Sequence, residues 1–232
     1  LKTQTFRQTK CLCPGKSMSI FLADQKKRAR VILFTLSKLF PEAGMVLKYR
    51  NNWELLVAVQ LSAQCTDKKV NEVTEKLFRK YRTLEEYVNA NPREFEKDIF
   101  QTGFYRNKTK NILRAAKMVQ KKFRGKIPKT MEEMLSIPGV ARKTANVVLG
   151  NAYGAVEGIA VDTHVKRLSS LWKLSKEHSP EKIEKDLMLL LSPKEWFNFT
   201  YKVIEYGRKY CQARKKDHSD CPLAKYEESI KN

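Results

Sequence analysis

Lys143 and Asp162 stand nineteen positions apart, and their types and settings could supply a nucleophilic amine and a charge-stabilising carboxylate. Lys143 lies in SIPGVARKTANVV, residues 136–148, in the first turn of a helix-like run that a Pro-Gly pair opens. An ordinary lysine is a poor nucleophile because its amine is protonated at neutral pH. Here an electropositive helix N-terminus, the adjacent Arg142 and partial burial would all disfavour the ammonium. A neutral amine attacks electrophilic carbon and forms Schiff bases. A lysine that keeps its charge and contacts phosphate is the other reading, and spacing does not separate the two. Asp162, in AVDTHVKRL, residues 160–168, follows an apolar triplet and precedes a second helix-like run. It suits an N-cap, whose side chain accepts from a first-turn N–H. It equally suits a carboxylate that stabilises positive charge developing on a sugar ring. The two roles are compatible, since capping holds a carboxylate in place. His164 sits in the same first turn and is assigned a minor part.

The hairpin itself can bind an anion. A helix N-terminus after a glycine turn directs unbonded backbone N–H groups outward, and Gly139 allows close approach of a phosphate. Such a unit holds nucleic-acid backbone without reading bases. The composition agrees: 46 Lys and Arg against 25 Asp and Glu give a formal net charge of +21, which calls for a polyanionic partner. No run of apolar residues is long enough to span a bilayer. Five cysteines, Cys11, Cys13, Cys65, Cys211 and Cys221, are odd in number and scattered. That argues against a disulfide scaffold and for a reducing interior. No apolar segment marks a signal peptide at the N-terminus, so an intracellular protein of cytoplasm or nucleoid is expected.

The elements that must position these residues are helical. Residues 1–22 are basic, lack a sustained period and are expected to form a flexible tail, with Met18 a possible natural start. From Ala23 onward, Ala29, Ile32, Leu33, Leu36 and Phe40 recur at helical spacing, and WELLVAVQLSAQ reads as a buried helix. Thr83 with Glu86, Thr130 with Glu133 and Ser192 with Glu195 have capping-box spacing. Ser179-Pro180 and Ser192-Pro193 place a cap before a first-turn proline. GIAV, residues 158–161, is the one strand candidate. An all-α fold of roughly ten helices is predicted. Residues 105–130 carry ten Lys and Arg and no acid beside an apolar face of Ile112, Leu113, Ala116, Val119 and Phe123; the basic side chains should crowd the opposite face and meet phosphate.

IPGVARKTANVVL followed by VDTHV, together with LSAQCTDKKVN at 61–71 and GFYRNKTKNI at 103–112, resembles the endonuclease III family of DNA glycosylases, with its helix-hairpin-helix and Gly/Pro/Asp loop. The likeness covers about residues 24–226. It implies a two-lobed all-α fold with a central DNA-binding cleft. One lobe would be a six-helix bundle, residues 44–155; the other would join residues 23–43 to 156–232. It implies removal of oxidised pyrimidines from damaged double-stranded DNA by base flipping, then cleavage of the abasic site by β-elimination through a lysine Schiff base. Lys143 matches the family's catalytic lysine and Asp162 its catalytic aspartate. Contacts to DNA are expected from the hairpin residues Pro138, Gly139, Val140, Ala141, Arg142 and Thr144, and from His164. Gln64 matches the residue that fills the gap left by the flipped base; otherwise it merely ends an apolar helix. Phe104 sits where the family has an apolar wedge; otherwise it is core. Asp67 is read as structural or pocket-forming. A monomer is expected, with no membrane partner.

Two departures stand out. Family members that hold a [4Fe–4S] cluster use C-x6-C-x2-C-x5-C near the C-terminus. Here Cys211 and Cys221 match the first and third positions, Asp217 or His218 falls near the second with Ser219 close by, and Glu227 falls at the fourth. Two thiolates do not hold a cubane that needs four ligands. The expectation is therefore no cluster and no metal, with helix packing and the basic residues 214–216 stabilising this end instead. Ala141 stands where the family hairpin has a glycine; alanine resists positive φ, so an altered turn is expected. Cys65 should pack as a buried thiol. Two other functions fit parts of the pattern: a monofunctional mismatch glycosylase, and a helix-hairpin-helix module that binds DNA without catalysis.

Overall fold

A computed structural model describes residues 14–214 and 217–224, with side chains described from Leu22. The first helix, α1, spans Pro14–Leu39 and so begins inside the segment read as a tail. No proline interrupts residues 15–40, so helical bonding propagates back from the strongly periodic part to Pro14, a residue whose fixed φ suits a first turn. It stops before Phe40, which precedes Pro41 and is pushed out of the helical region by it.

The predicted caps start helices. Thr83 forms a full capping box with Glu86 at the head of α4, Leu84–Val88. Thr130 accepts from the Glu133 N–H ahead of α7, Met131–Leu135. Ser179 accepts from the Lys182 N–H ahead of α10, Pro180–Leu190. Ahead of α11, Pro193–Lys209, the N–H and hydroxyl of Ser192 both donate to Glu195. Four caps come from Asn51, Thr66, Asn91 and Asp162. They open α2 (Asn52–Leu61), α3 (Asp67–Lys80), α5 (Pro92–Ile99) and α9 (Thr163–Leu171). The basic helix is α6, Tyr105–Phe123, entered from a 3-10 turn at Phe100–Thr102, and α8 is Arg142–Tyr153. The described residues contain no strand. GIAV is irregular: Ile159, Ala160 and Val161 are buried, and the hydroxyl of Thr200 donates to the Ala160 carbonyl at 2.9 Å. A strand needs a partner to take its backbone bonds, and none lies beside it.

The buried apolar side chains form two cores. The first gathers α2 through α8 around α2, whose residues Trp53–Leu61 are all buried. The second joins α1 to α9, α10 and α11, with Trp172, Phe199 and Tyr206 at its centre. Polar ties stitch the seam between them. Arg142 and Asn146 of α8 reach the buried carboxylate of Glu184 on α10, at 2.5 and 2.9 Å. Asn151 donates to the Tyr201 hydroxyl at 2.7 Å, and Arg208 of α11 pairs with Asp67 of α3 at 2.6 Å. Close approach at this seam depends on two glycines. A methyl group at Gly150 would lie 2.3 Å from the Phe197 ring, and one at Gly158 would lie 1.9 Å from Glu184.

Candidate active site and nucleic-acid interface

The hairpin between α7 and α8 is built as an anion cradle. Gly139 takes φ +77°, and its Cα packs so tightly on Asn111 that a Cβ would lie 2.8 Å from that side chain. Gln60, buried on α2, donates to the Pro138 carbonyl at 3.0 Å and fixes the turn to the first core. Ala141 caps α8 without a side-chain acceptor. The first-turn N–H groups of Arg142, Lys143 and Thr144 therefore keep their helix-end donor capacity for an incoming anion. Three expectations meet the structure here. Ala141 has φ −93°, ordinary for alanine, so the missing glycine alters nothing. Val140 is buried, and its N–H already donates to the Ile137 carbonyl at 3.1 Å, so it supports the turn rather than offering a donor. Arg142 was expected at DNA, but its guanidinium is engaged by Glu184, which raises its pKa further.

Lys143 points from the open end of α8 into a groove between the two cores. It is exposed rather than partly buried. Asp67, Arg208, Glu205 and Tyr201 line the same groove. Asp162 is half-buried and caps α9, accepting from the Val165 N–H through Oδ1 at 2.8 Å. That leaves Oδ2 outside the cap bond. His164 lies within the electrostatic reach of both Lys143 and Asp162. Its imidazole feels the Asp162 carboxylate, which favours its charge, and Arg167, Arg208 and Lys143, which oppose it. Burial is the largest influence and holds its pKa below the ordinary value. The ring packs onto Gly207 of α11, where a Cβ would meet Nδ1 at 2.4 Å, and that nitrogen is buried without a hydrogen-bond partner. His164 is thus biased towards the neutral form, a poor stand-in for a phosphate-binding cation.

A second hollow, beside the hairpin, is lined by Gln64, Phe104, Asn107, Lys108, Asn111 and Gly139. Gln64 and Phe104 both sit in left-handed backbone, φ +53° and +47°. Such conformations cost free energy in non-glycine residues and persist where surrounding structure imposes them. Phe104 is 64% exposed, so it is not core. Lys108 does the imposing. Nine of the ten basic residues in 105–130 are exposed. Lys108 turns inward, and its ammonium donates to the carbonyls of Leu61 at 2.8 Å and Thr102 at 2.7 Å. Those carbonyls lie just ahead of Gln64 and Phe104, so one buried cation, its pKa lowered by burial, staples both turns together. Sequence reading missed Lys108, Arg208 and Glu184. Each looks like one more charge on a helix surface; long-range packing buries Lys108 and Glu184 and brings Arg208, still exposed, to Asp67. Cys65 is half-buried at the edge of the first core, not buried.

At the C-terminal end, Cys211 and Cys221 are buried and His218 lies between them, Nδ1 3.6 Å from each sulfur. Arg167 donates to both the sulfur and the carbonyl of Cys211. His218, seven residues after Cys211 and three before Cys221, occupies the second cysteine position of the iron–sulfur pattern. Glu227, Cys11, Cys13 and residues 215–216 lie outside the described residues. A donor set of two thiols and an imidazole does not fit a four-thiolate cluster. Among the described residues, no group of three or more His, Cys, Asp or Glu side chains is placed to hold a metal ion.

Comparisons with known proteins point to one family. Residues 57–193 match the model of the HhH-GPD superfamily base excision DNA repair proteins. The chain is 48% identical over 203 residues to an endonuclease III of Synechocystis, covering 88% of this chain and 93% of that protein. It is 41% identical over 198 residues to an endonuclease III of Bacillus subtilis. It superposes at a TM-score of 0.83, with 42% identity over 87% of this chain and 94% of the other, on an endonuclease III solved in a non-covalent complex with DNA. The same values hold for one solved as a trapped covalent DNA intermediate.

Proposed function

Since this chain belongs to the HhH-GPD superfamily of base excision DNA repair proteins, we propose that it is a bifunctional DNA glycosylase and abasic-site lyase acting on oxidised pyrimidines, with Lys143 as nucleophile and Asp162 as the assisting carboxylate. The carrying observation is the groove at the open N-terminus of α8, where Lys143 faces Arg208 and Asp67 and lies within the electrostatic reach of His164, which Asp162 shares. A damaged nucleotide leaves the stack and enters this groove. Gln64 and exposed Phe104 fill the space it vacates. The hairpin N–H groups hold the flanking phosphate, and the nine outward basic residues of 105–130 bind the backbone beyond it.

Asp162 stabilises positive charge on the sugar as the C1′–N bond to the base breaks and the base departs with the bonding electrons, then takes a proton. The Lys143 amine forms the new bond to C1′, loses a proton, and the sugar ring opens to a protonated imine. Loss of a C2′ proton sends its electron pair into the conjugated system and expels the 3′ phosphate. Water then hydrolyses the imine and returns the amine. No step requires iron, and we propose that the family cluster is absent from this chain. This reading places its work at the nucleoid.

Borohydride reduction with a duplex bearing an abasic site tests the assignment. A covalent adduct should form with this protein and disappear in Lys143→Gln. Base release without strand cleavage or adduct would favour a monofunctional glycosylase, and binding with neither would leave only a DNA-binding module.

A further inference from the structure

We infer that Tyr201 is a further catalytic residue of the base-release step: its hydroxyl donates a hydrogen bond to an exocyclic carbonyl oxygen of the flipped base and stabilises the negative charge that the base carries away. The inference rests on the roles proposed for Lys143 and Asp162 and adds one on the other side of the breaking bond. Lys143, Val147 and Asn151 recur every four residues along α8 and so share one face. Tyr201, Glu205 and Arg208 share a face of α11. Lys143, Val147, Tyr201, Glu205 and Arg208 all line the groove between these faces. Asn151 lies roughly 12 Å along α8 from Lys143, and it donates to the Tyr201 oxygen at 2.7 Å. The hydroxyl therefore stands at the inner end of the groove and the amine at its open end. A nucleotide whose sugar meets the amine directs its base towards Tyr201.

The hydrogen bonds around the phenol set it as a donor. Both protons of the Asn151 amide are committed, one to the Val147 carbonyl and one to the Tyr201 oxygen, each at 2.7 Å. Tyr201 accepts in that pair, so its own proton points elsewhere, and no acceptor takes it among the described residues. Burial pushes the hydroxyl's pKa up, so the proton stays on oxygen at neutral pH. The ring is held edge-on to Phe197, with centroids 5.4 Å apart, and Met45, Leu47, Val59 and Ile204 add apolar wall. A preset donor in a partly desolvated site stabilises developing negative charge without reorganisation. As the C1′–N bond breaks, the bonding pair moves into the base and spreads onto its carbonyl oxygens. Asp162 answers the positive charge left on the sugar, and Tyr201 answers the negative charge on the base. The phenol keeps its proton, and the base takes one from water after it leaves.

Tyr201→Phe tests this, because it keeps the ring and removes the donor. Single-turnover base release should slow about 10²-fold for a duplex carrying dihydrothymine, whose saturated ring spreads negative charge poorly. The slowing should be smaller for 5-hydroxyuracil, whose conjugated ring leaves more readily unaided. Borohydride trapping on an abasic-site duplex should proceed at the wild-type rate, since no base departs in that reaction, and it shows that the variant is folded. Asn151→Ala, which frees the phenol to turn away, should slow dihydrothymine release by a smaller factor and provides a second route to the same result. Slowing of equal size for both bases, slower trapping, or unchanged release of dihydrothymine would each overturn the inference while leaving Lys143 in its role. Absence of both base release and trapping in the wild-type protein would instead overturn the reading on which the inference rests.

Discussion

Replacing Asp162 by asparagine separates the two jobs that its position combines. The cap bond uses one oxygen, Oδ1, which accepts from the Val165 N–H at 2.8 Å. Asparagine keeps an oxygen there and caps as well as aspartate, so α9 should stay anchored. The change removes the negative charge from the groove. Losing one group that stabilises charge developing in a transition state costs about 10²–10³ in rate, or roughly 3–4 kcal/mol of barrier. Single-turnover base release from a duplex with one oxidised pyrimidine should therefore slow by about that factor in Asp162→Asn, while thermal unfolding moves by less than roughly 2 °C. Asp162→Ala removes cap and charge together. It should show the same slowing plus a loss of about 1 kcal/mol, or a fall of roughly 2–4 °C in Tm for a chain of this size. Base release by Asp162→Asn within a few-fold of wild type would refute the catalytic role and leave a cap alone.

Other perturbations probe what holds the site. Lys108→Met strands the Leu61 and Thr102 carbonyls, for a loss of about 1–3 kcal/mol by chemical denaturation. It should also weaken binding to abasic-site duplex while leaving Lys143 in place; unchanged affinity would detach the staple from the Gln64 and Phe104 turns. Glu184→Ala leaves Asn146 unpartnered in the seam and Arg142 to rehydrate, again about 1–3 kcal/mol, and the unfolding midpoint reads it directly. The depressed pKa of His164 has a definite sign. The unfolded chain binds a proton more readily, so its contribution is intact above about pH 6.5 and is lost as pH falls through the folded value. The stability gap between wild type and His164→Asn should therefore shift against wild type on acidification from about pH 6.5, and a pH-independent gap would contradict the burial argument.

Local rules made the helices legible. Capping residues and apolar periodicity act within four or five positions, so Thr83, Thr130, Ser179 and Asp162 could be placed as helix starts from spacing alone. The hairpin was legible for the same reason, since Gly139 and the helix after it are contiguous in sequence. Lys143 stood out because a cation is disfavoured at a helix N-terminus, and Asp162 because a capping position holds a carboxylate in place.

What the sequence determined by itself was a basic all-α chain with a Pro-Gly hairpin, a lysine at its helix end and a capping aspartate. Only the tertiary structure decided which charges find partners across the fold. Lys108 turns from the phosphate-binding face to two buried carbonyls 6 and 47 residues away. Arg142 pairs with Glu184 42 residues away, and Arg208 crosses 141 residues to meet Asp67. His218 comes to rest between two sulfurs. The reason is physical: capping and periodicity act along the chain, whereas burying a charge is favourable only beside a partner brought close by the fold.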